Sequence, residues 1–413
     1  MAQSLPYAVS CKGGLNTNVN QFELIRTPGS ASVLENFEVD IDGGYRRING
    51  FEPFGGSNAT TPNGNNAITG LFVYADGVIA SSGTHIYFTL DGITWLQINK
   101  GSVAGGGDDY TAFTGRSAVA RTNQAECSIV LYEGDSTYGE VIITDSSSSS
   151  KPFYFKMTGT GALSNRTYFA KEITVSGSVY PKTCIIHDKH LVVAGDSNNP
   201  NTIYYSGTDN IDSFTGTGAG SIKLDDKVIG LRSFRNNLII FCKNSIYKLE
   251  NINISASIVV TPITKNVGCI ANGSIQEFSG DLVFLSPDGI RTLAGTERIG
   301  DVELGAVSRQ IQPILNNVVA NIDTFIVSSV ILRNKSQYRL FYSTSSQAAL
   351  DAKGIIGSIT KDGIAWSETK GIQARKVTSG FNSSGIEKFY HGDNEGYVYT
   401  HDSGNSFYHS GEV

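Results

Sequence analysis

The residues that could support catalysis or metal binding are few, and they fall in short polar segments between apolar ones. The densest group is His187, Asp188 and His190, where two histidines three positions apart could ligate a metal ion. Apolar segments lie on both sides of this group, which is the pattern of a β-hairpin with a polar tip. We therefore interpret the group as a turn and keep metal binding as the alternative.

A second candidate is an acidic segment that begins like a calcium-binding loop. Asp40 and Asp42 precede Gly43, but the later oxygen ligands and the distal glutamate of such a loop are missing. Residues 38–48 alternate on both sides of an Asp-Gly-Gly tip, which predicts a hairpin. The sequence also lacks a Gly-x-Ser-x-Gly elbow, a phosphate-binding loop and a Cys/His nucleophile pair. It therefore predicts no enzyme and no cofactor.

The most informative pattern is a turn phrase that recurs along the chain. Residues 89–95 (TLDGITW) return as residues 360–366 (TKDGIAW), and looser copies occupy residues 286–290 and 400–407. In such a phrase the aspartate accepts hydrogen bonds from nearby backbone N–H groups, the glycine takes a positive φ, and the aromatic packs where the next strand begins. The predicted structural turn residues are Asp91, Gly92, Trp95, Asp288, Gly289, Asp362, Gly363, Trp366, Asp402 and Gly404.

These phrases are similar to the Asp boxes of sialidase-like glycosidases, so a glycosidase is one alternative function. Sialidase-like catalysis needs an arginine cluster that binds a carboxylate, together with a nucleophile pair and an acid. The arginines of this chain, such as Arg232, Arg235 and Arg339, show no convergent spacing, and the pair Asp225 and Asp226 lies in a polar loop. The sequence favours a structural or binding protein over this alternative.

Composition indicates a folded β-protein with many turns. The 413 residues include 46 glycines, 20 phenylalanines and 19 tyrosines, whereas charged residues make up only 17%. The net charge is −6 and the basic residues are scattered, so there is no footprint for tight nucleic-acid binding. The five cysteines lack metal-ligand spacing, and Cys184 and Cys242 are expected in the core. We expect no signal peptide and no membrane anchor, and synthesis in a cytoplasm.

The elements that must position these residues are short strands in repeated units. Units of roughly 40–50 residues are what four short strands and their turns require, and we count seven of them between residues 67 and 407. The predicted fold class is all-β: a β-propeller of about seven four-stranded blades over residues 57–413. Residues 1–56 form an irregular N-terminal assembly segment with a β-hairpin. Residues 302–320 have helical spacing and predict one short helical insertion, which Pro313 should shorten or kink.

The opening of the chain resembles the N-terminus of tail proteins from tailed bacteriophages. Those proteins begin with a Gly-Gly-Leu phrase, here residues 13–15, followed by an Asn-Phe pair, here Asn36 and Phe37, and a GGYRRI-GF hairpin, here residues 43–51. A β-propeller follows in those proteins. Similar internal phrases extend the resemblance over most of the chain: residues 202–206, 212–214, 228–231, 237–241 and 286–290.

The resemblance implies a tail hub or nozzle protein, also described as a packaged-DNA stabilisation protein. Such a protein is a structural virion component of the phage tail. It forms a ring, commonly a homohexamer, below the portal and adaptor, and its propellers surround a DNA channel. It retains packaged DNA, conducts it during DNA ejection and offers attachment points for tail fibres. An acidic protein of this kind should let DNA slide through the lumen without sequence-specific binding.

Assembly contacts are expected from the two parts of the chain outside the blade pattern. The candidate residues are Leu15, Phe22, Phe37, Tyr45, Arg46, Arg47, Phe51, Ile311 and Leu315. For the insertion at residues 302–320, packing on its own propeller is the alternative. A receptor- or carbohydrate-binding tail propeller is the alternative function. It would need exposed aromatic side chains on one face, for which Tyr87, Trp95 and Tyr397 are candidates.

Overall fold

Short antiparallel strands form nearly all of the regular structure. The computed structural model describes residues 11–40, 42–98, 125–134, 138–254, 257–294, 307–361 and 363–409. Apolar and β-branched residues occupy the strands, and Gly, Asn, Asp and Ser occupy the turns between them, so consecutive strands pair with each other. One of the few helical elements is a nine-residue helix that lies between the fifth and sixth sheets.

The N-terminal segment contains short strands and one helical turn. Its elements are β1 (Gly14–Leu15), α1 (Gln21–Leu24), β2 (Ser30–Ala31), β3 (Phe37–Val39), β4 (Tyr45–Arg47), β5 (Phe51–Pro53) and β6 (Pro62–Asn65). β1 pairs in parallel with β2, and β3 pairs antiparallel with β4. The second pair is the hairpin predicted from the sequence, with Gly43 and Gly44 at φ of 96° and 107° in its tip.

The first three blades each contain four antiparallel strands in sequence order. Blade one consists of β7 (Ile68–Tyr74), β8 (Gly77–Ser82), β9 (His85–Thr89) and β10 (Leu96–Gln97). Blade two consists of β11 (Cys127–Tyr132), β12 (Glu140–Asp145), β13 (Phe153–Thr158) and β14 (Thr167–Glu172). Blade three consists of β15 (Thr183–His187), β16 (His190–Ala194), β17 (Thr202–Tyr205) and β18 (Gly220–Lys223).

The remaining blades continue the pattern around the circle. Blade four consists of β19 (Val228–Phe234), β20 (Asn237–Cys242), β21 (Ile246–Glu250) and β22 (Val259–Thr264). Blade five has three strands among its described residues: β23 (Gln276–Phe278), β24 (Asp281–Ser286) and β25 (Gly289–Thr292). Helix α2 (Gln312–Ala320) follows. Blade six consists of β26 (Ile326–Leu332), β27 (Gln337–Ser343), β28 (Lys353–Thr360) and β29 (Gly363–Lys370). Blade seven contains β30 (Lys376–Phe381), β31 (Glu387–Gly392) and β32 (Val398–His401).

The fourth strand of blade seven comes from the N-terminal part of the chain. β5 pairs antiparallel with β32, so that Phe51 lies opposite His401 and Pro53 lies opposite Tyr399. This pairing joins the two ends of the propeller in one sheet and closes the circle. The predicted all-β propeller of about seven blades, with an irregular N-terminal segment and a short helical insertion, is confirmed. The closing strand lies inside the segment of residues 1–56 that the sequence analysis set apart for assembly.

Among the described residues the hydrophobic core is divided into seven clusters, and each of them lies where two neighbouring blades meet. For example, Ile79 and Phe88 of blade one pack in the same cluster as Ile143 and Phe155 of blade two. Blades seven and one share a cluster that contains Ile68 and Tyr390 among others. Cys184 and Cys242 are buried in two of the clusters, as predicted. Each buried Leu, Ile or Phe stabilises the fold by about 1.5–3 kcal/mol relative to an exposed one. Because these side chains pack between blades, every blade is stabilised by both of its neighbours, and the circle of blades is rigid.

Helix α2 packs on its own propeller. Ile311, Leu315 and Val318 lie at helical spacing and are buried against blades five and six. Pro313 is the second residue of the helix, a position where its missing N–H has no helical partner to lose. The proline therefore sets the start of the helix and makes it shorter than the predicted span of residues 302–320, of which residues 302–306 lie outside the described residues.

Candidate functional site

The first turn phrase has the hydrogen-bond pattern predicted for it. Asp91 Oδ1 accepts from the N–H groups of Ile93 and Thr94, both at 2.9 Å. Burial alone would raise the pKa of Asp91, but these two N–H groups hold it below its usual value. Gly92 takes φ of 72°, and Trp95 donates from Nε1 to the carbonyl of Thr60 at 2.9 Å. The phrase is a structural turn between β9 and β10.

The second and third copies are also turns, with different partners. In blade six, Gly363 takes φ of 120°, and Trp366 is buried and donates from Nε1 to the carbonyl of Val307 at 3.2 Å. Asp362 lies outside the described residues. In blade five, Arg291 donates to Asp288 and holds the pKa of that carboxyl below its usual value. Gly289 takes φ of 129° there.

The fourth copy leads to a group of mostly buried side chains, four charged and one a neutral amide, which we call the ion cluster: Glu38, Lys335, Gln337, Arg339 and Asp402. Asp402 Oδ1 accepts from Lys335 Nζ at 2.8 Å and from Arg339 Nη2 at 2.9 Å. Burial would raise the pKa of Asp402, but the two cations beside it lower that pKa overall. Asp402 itself takes φ of 58°, and Gly404 takes φ of 68°. The carboxylate of this copy therefore forms ion pairs with strand β27 and the turn before it.

Glu38 of the N-terminal hairpin completes the ion cluster. Its Oε2 accepts from Gln337 Nε2 at 2.9 Å and from Arg339 Nη2 at 3.1 Å, and its Oε1 accepts from Arg46 Nε at 2.6 Å. Glu38 and Arg339 are both fully buried. Buried charges are costly unless they are paired and hydrogen-bonded, and here each has several partners. The cluster fixes the hairpin of the N-terminal segment onto blades six and seven.

Two buried histidines lie beside the ion cluster. His391 Nδ1 is 3.1 Å from His401 Nδ1, and His401 Nε2 is 3.2 Å from Arg339 Nη1. Burial lowers the pKa of both histidines well below the usual value, and the cations Arg339 and Lys335 lower that of His401 further. Both rings are therefore neutral at physiological pH. No sequence motif indicates this pair, because its members lie on separate strands, β31 and β32.

A buried carboxylate lies in the turn between β31 and β32. Asp393 Oδ1 accepts from the N–H groups of Glu395 and Tyr397, both at 2.9 Å, and Oδ2 accepts from the hydroxyl of Tyr399 at 2.9 Å. Burial raises the pKa of Asp393 to about 6 despite these donors. The hydrogen-bond donors to this carboxylate all lie in its own turn or in the following strand, so the carboxylate stabilises this turn.

Four of the predicted assembly residues are buried within the chain itself. Leu15, Ile311 and Leu315 belong to the cluster between blades five and six, and Phe51 belongs to the cluster between blades six and seven. Their side chains contribute to folding and leave no surface for a neighbour. Tyr45 is half-buried, and its hydroxyl donates to the carbonyl of Gly29.

The other predicted assembly residues reach the surface. Phe22 is 84% exposed and Phe37 is 42% exposed. Ile25 and Val33, which the sequence analysis did not select, are 75% and 72% exposed. Arg47 is also exposed, and Arg46 forms ion pairs with Glu38 and Asp40. We call Phe22, Ile25, Val33 and Phe37 the exposed apolar set.

The exposed apolar set is carried by a backbone that is fixed on the propeller. The N–H of Thr17 donates to the carbonyl of Gln310 at 2.8 Å, just before α2, and Asn20 caps α1 by accepting from the N–H of Glu23 at 2.9 Å. After the set, the N–H of Asn36 donates to the carbonyl of Glu368 at 2.8 Å. These large apolar side chains therefore face solvent in a defined place.

A cavity of about 880 Å³ occupies the centre of the propeller. The first strand of every blade contributes to its wall: β7, β11, β15, β19, β23, β26 and β30. The starts of these strands lie at the same end of the cavity, as two contacts show. Glu126, just before β11, accepts from Arg375 Nη2, just before β30, at 2.6 Å, and Asn272 donates to Thr183 of β15 at 3.3 Å.

The predicted polar turn at residues 187–190 is present. His187 Nδ1 is 2.8 Å from Ser233 Oγ, and His190 Nε2 is 2.8 Å from Asn253 Oδ1, so each histidine bonds to a neighbouring polar group. Burial lowers the pKa of His187. Within the described parts of the chain, no group of three or more His, Cys, Asp or Glu side chains is placed to hold a metal ion. No described helix is long and apolar enough to cross a membrane.

Comparison with known proteins gives similarity of overall shape only. No protein-family model and no curated protein matches the sequence. Among solved structures, the chain is similar to the extracellular domain of a hybrid two-component system from B. thetaiotaomicron, at 9% identity and a TM-score of 0.44, over 85% of this chain and 40% of that one. It is also similar to the AfRom2 CNH domain, at 10% identity and a TM-score of 0.42, over 83% of this chain and 98% of that one.

A third solved structure shows the same level of similarity. The WD40 domain of Neurospora crassa Pan2 matches at 8% identity and a TM-score of 0.41, over 81% of this chain and 88% of that one. Identities and TM-scores of this size carry no argument about function. The propeller fold is established by the strand pairing of the chain itself.

Proposed function

We propose that this chain is a structural subunit of a phage tail that assembles into a ring around the DNA channel. In this role it would act as a tail hub or nozzle that retains packaged DNA and conducts it on ejection. The proposal begins from the resemblance of residues 13–15, 36–37 and 43–51 to phage tail proteins. Its partners would be further copies of itself, commonly six, and the adaptor or portal ring and tail fibres of the virion.

The observation that carries the proposal is the exposed apolar set on the N-terminal segment. Large apolar side chains that are mostly exposed, close in sequence and held on a fixed backbone are typical of surfaces that other proteins cover. Phe22 and Ile25 stand three positions apart around α1, a helix with no buried residue. Burial of these side chains by a neighbouring copy would recover about 1.5–3 kcal/mol for each.

The geometry of the propeller suits this role. A head-to-tail contact between one surface of a subunit and a different surface of the next closes into a ring when the rotation is correct. The closed circle of blades gives each subunit a rigid body and leaves only short strand edges exposed. We propose a structural and not an enzymatic role, and no metal or cofactor for it.

The alternative of a carbohydrate-binding propeller receives no support from its candidate aromatics. Tyr87 is buried, Trp95 is half-buried and bonded to the carbonyl of Thr60, and Tyr397 is half-buried beside Tyr399. None of the three is among the exposed large hydrophobic side chains of the described residues.

The test of the proposed function is the oligomeric state of the purified chain. Native mass spectrometry and negative-stain images should show rings for the wild-type protein. The Phe22→Ser, Ile25→Ser double variant should shift to monomers while its urea unfolding midpoint stays unchanged, because both residues are exposed. The matched control is Leu350→Ser with Ile254→Ser, since Leu350 and Ile254 are exposed apolar residues elsewhere on the propeller. A wild-type chain that stays monomeric at high concentration, or a double variant that still forms rings, contradicts the proposal.

A further inference from the structure

The charged residues at one mouth of the central cavity follow a simple rule of position. Glu126, Lys182, Lys227 and Arg375 each occupy the position directly before the first strand of their blade, and Lys376 is the first residue of β30. Because these strands start at the same end of the cavity, the side chains surround one mouth. The whole chain has a net charge of −6, but this mouth is rich in cations.

Part of this charge is already compensated within the described residues. Glu126 Oε1 accepts from Arg375 Nε at 2.9 Å and from Nη2 at 2.6 Å, and Glu126 Oε2 lies 2.9 Å from Lys376 Nζ. One carboxylate therefore faces two cations. Asp196 is the other acidic residue in the described wall, and its oxygens accept from the backbone N–H groups of Tyr180, Asn198 and Asn199.

The two lysines of blades three and four have no such partner. Neither Lys182 nor Lys227 forms an ion pair with a described carboxylate, although both contribute to the cavity wall. They stand at equivalent positions of neighbouring blades, one residue before β15 and one residue before β19. Four cationic side chains and two acidic ones line the described wall, namely Lys182, Lys227, Arg232 and Lys376 against Glu126 and Asp196, which leaves two positive charges in excess.

Arg232 places a further positive charge in the cavity wall. It is connected to the strand after Lys182, because Asn272 accepts from Arg232 at 3.2 Å and donates to Thr183 at 3.3 Å. Its guanidinium donates to the carbonyls of Ile275 at 2.9 Å and Leu231 at 2.7 Å and to the amide oxygen of Asn272 at 3.2 Å. All of these acceptors are neutral. Burial lowers the pKa of Arg232 to about 10, so the group stays charged at neutral pH.

Arg232 is half-buried, and a cation that loses part of its water to neutral acceptors alone is costly, because the lost water is not balanced by an opposite charge. An anion in the cavity would supply that charge to Arg232 and to the two lysines at the mouth. The volume of about 880 Å³ lies in the range of small-molecule pockets, which is roughly 300–1,000 Å³. It exceeds what a single inorganic ion needs.

We propose that the central cavity binds a small molecule carrying an oxyanion, either phosphate or carboxylate, through Lys182, Lys227 and Arg232. Lysine ammonium groups bind such anions as point charges and would attract the ligand at the mouth. Arg232 supplies a third positive charge in the cavity wall. This site is formed within one chain, so it is independent of the proposed ring assembly.

The test is calorimetric titration at low ionic strength with two probes, inorganic pyrophosphate for phosphate ligands and citrate for carboxylate ligands. The wild-type chain should bind at least one of them saturably, and the probe that binds more tightly identifies the class. The Lys182→Gln, Lys227→Gln double variant should raise the Kd at least tenfold. The matched control is Lys223→Gln with Lys265→Gln, which removes the same charge from exposed positions of the same two blades, outside the cavity wall. Its Kd should stay within twofold of wild type.

A second variant tests the contribution of Arg232 to binding. Arg232→Gln keeps hydrogen-bond donors and removes the charge, and it should also weaken the binding of the preferred probe at least tenfold. Circular dichroism establishes whether it is folded, and if it is not, the lysine variant decides. The absence of saturable binding to both probes overturns the proposal. Unchanged binding in the lysine double variant, or an equal loss in the control, overturns it as well.

Discussion

Arg339 Nη2 lies 3.1 Å from Glu38 Oε2, and these two fully buried residues join the N-terminal hairpin to strand β27 of blade six. The same Nη2 lies 2.9 Å from Asp402 Oδ1 at the end of β32. One guanidinium therefore connects three parts of the chain: the hairpin, blade six and the strand that accepts the closing strand β5.

Removal of Arg339 should destabilise the propeller strongly. Arg339→Met removes one of the two cations that Glu38 and Asp402 share, the other being Lys335, and loss of one member of a buried ion pair costs about 3–5 kcal/mol. The free energy of unfolding in urea measures the effect. The control is Lys353→Met, because Lys353 pairs with Glu368 at 3.3 Å near the surface and such pairs contribute about 1 kcal/mol or less. Equal losses of unfolding free energy in the two variants would show that the ion cluster does not stabilise the closed circle of blades.

Stability should fall as the pH drops below the usual pKa of histidine. The folded protein holds His391 and His401 neutral, so below a pH of 6.5 the unfolded chain binds more protons than the folded one. Each histidine then lowers the free energy of unfolding by up to about 1.4 kcal/mol per pH unit. Urea unfolding between about pH 7 and about pH 5 measures the slope. His391→Gln with His401→Gln should reduce this slope, and His85→Gln, outside this group, serves as the control.

Asp393 should act in the opposite direction over a lower pH range. Its folded pKa of about 6 lies above the usual 3.8, so between these values the folded protein binds more protons than the unfolded chain. Its contribution to the free energy of unfolding therefore rises as the pH falls through this window. Asp393→Asn should remove that contribution, so the stability difference between wild type and variant grows toward low pH. The same measurement on Asp351→Asn, at an exposed position, serves as the control.

The turn phrase of blade one should tolerate no side chain at its glycine. An added Cβ at Gly92 would lie 1.9 Å from the carbonyl oxygen of Phe54, and φ there is 72°. At Gly64 φ is 55° and no heavy atom lies within 4 Å of an added Cβ. Gly64→Ala should cost about 1–2 kcal/mol for the left-handed backbone alone, and Gly92→Ala should cost about 1–3 kcal/mol more for overpacking. Equal thermal denaturation midpoints for the two variants would contradict this account.

Sequence alone was sufficient for the local parts of the propeller. Alternation of apolar and polar residues and the turn phrases predicted most strands, the hairpin at residues 38–48 and the number of blades, and helical spacing predicted the short helix that contains Pro313. These predictions are possible because a blade is built from strands that follow one another in the chain, so its hydrogen bonds join residues that are close in sequence. The turn at Asp91 is local in the same sense, since its acceptor and donors lie within three residues.

The contacts that close the circle and shape the sites were decided only by the tertiary structure. β5 meets β32 across nearly the whole chain, Glu38 meets Arg339 from 301 residues away, and Lys182 and Lys227 share a mouth only because their blades stand side by side. In the sequence each of these charged residues is typical of a solvated loop. The burial and pairing of Glu38 and Arg339, and the position of the two lysines at one mouth, depend on the angle between blades, which the packing of the interblade cores sets and which no short segment encodes. For the same reason Leu15 and Phe51 looked like assembly residues but are buried, whereas Phe22 remains exposed.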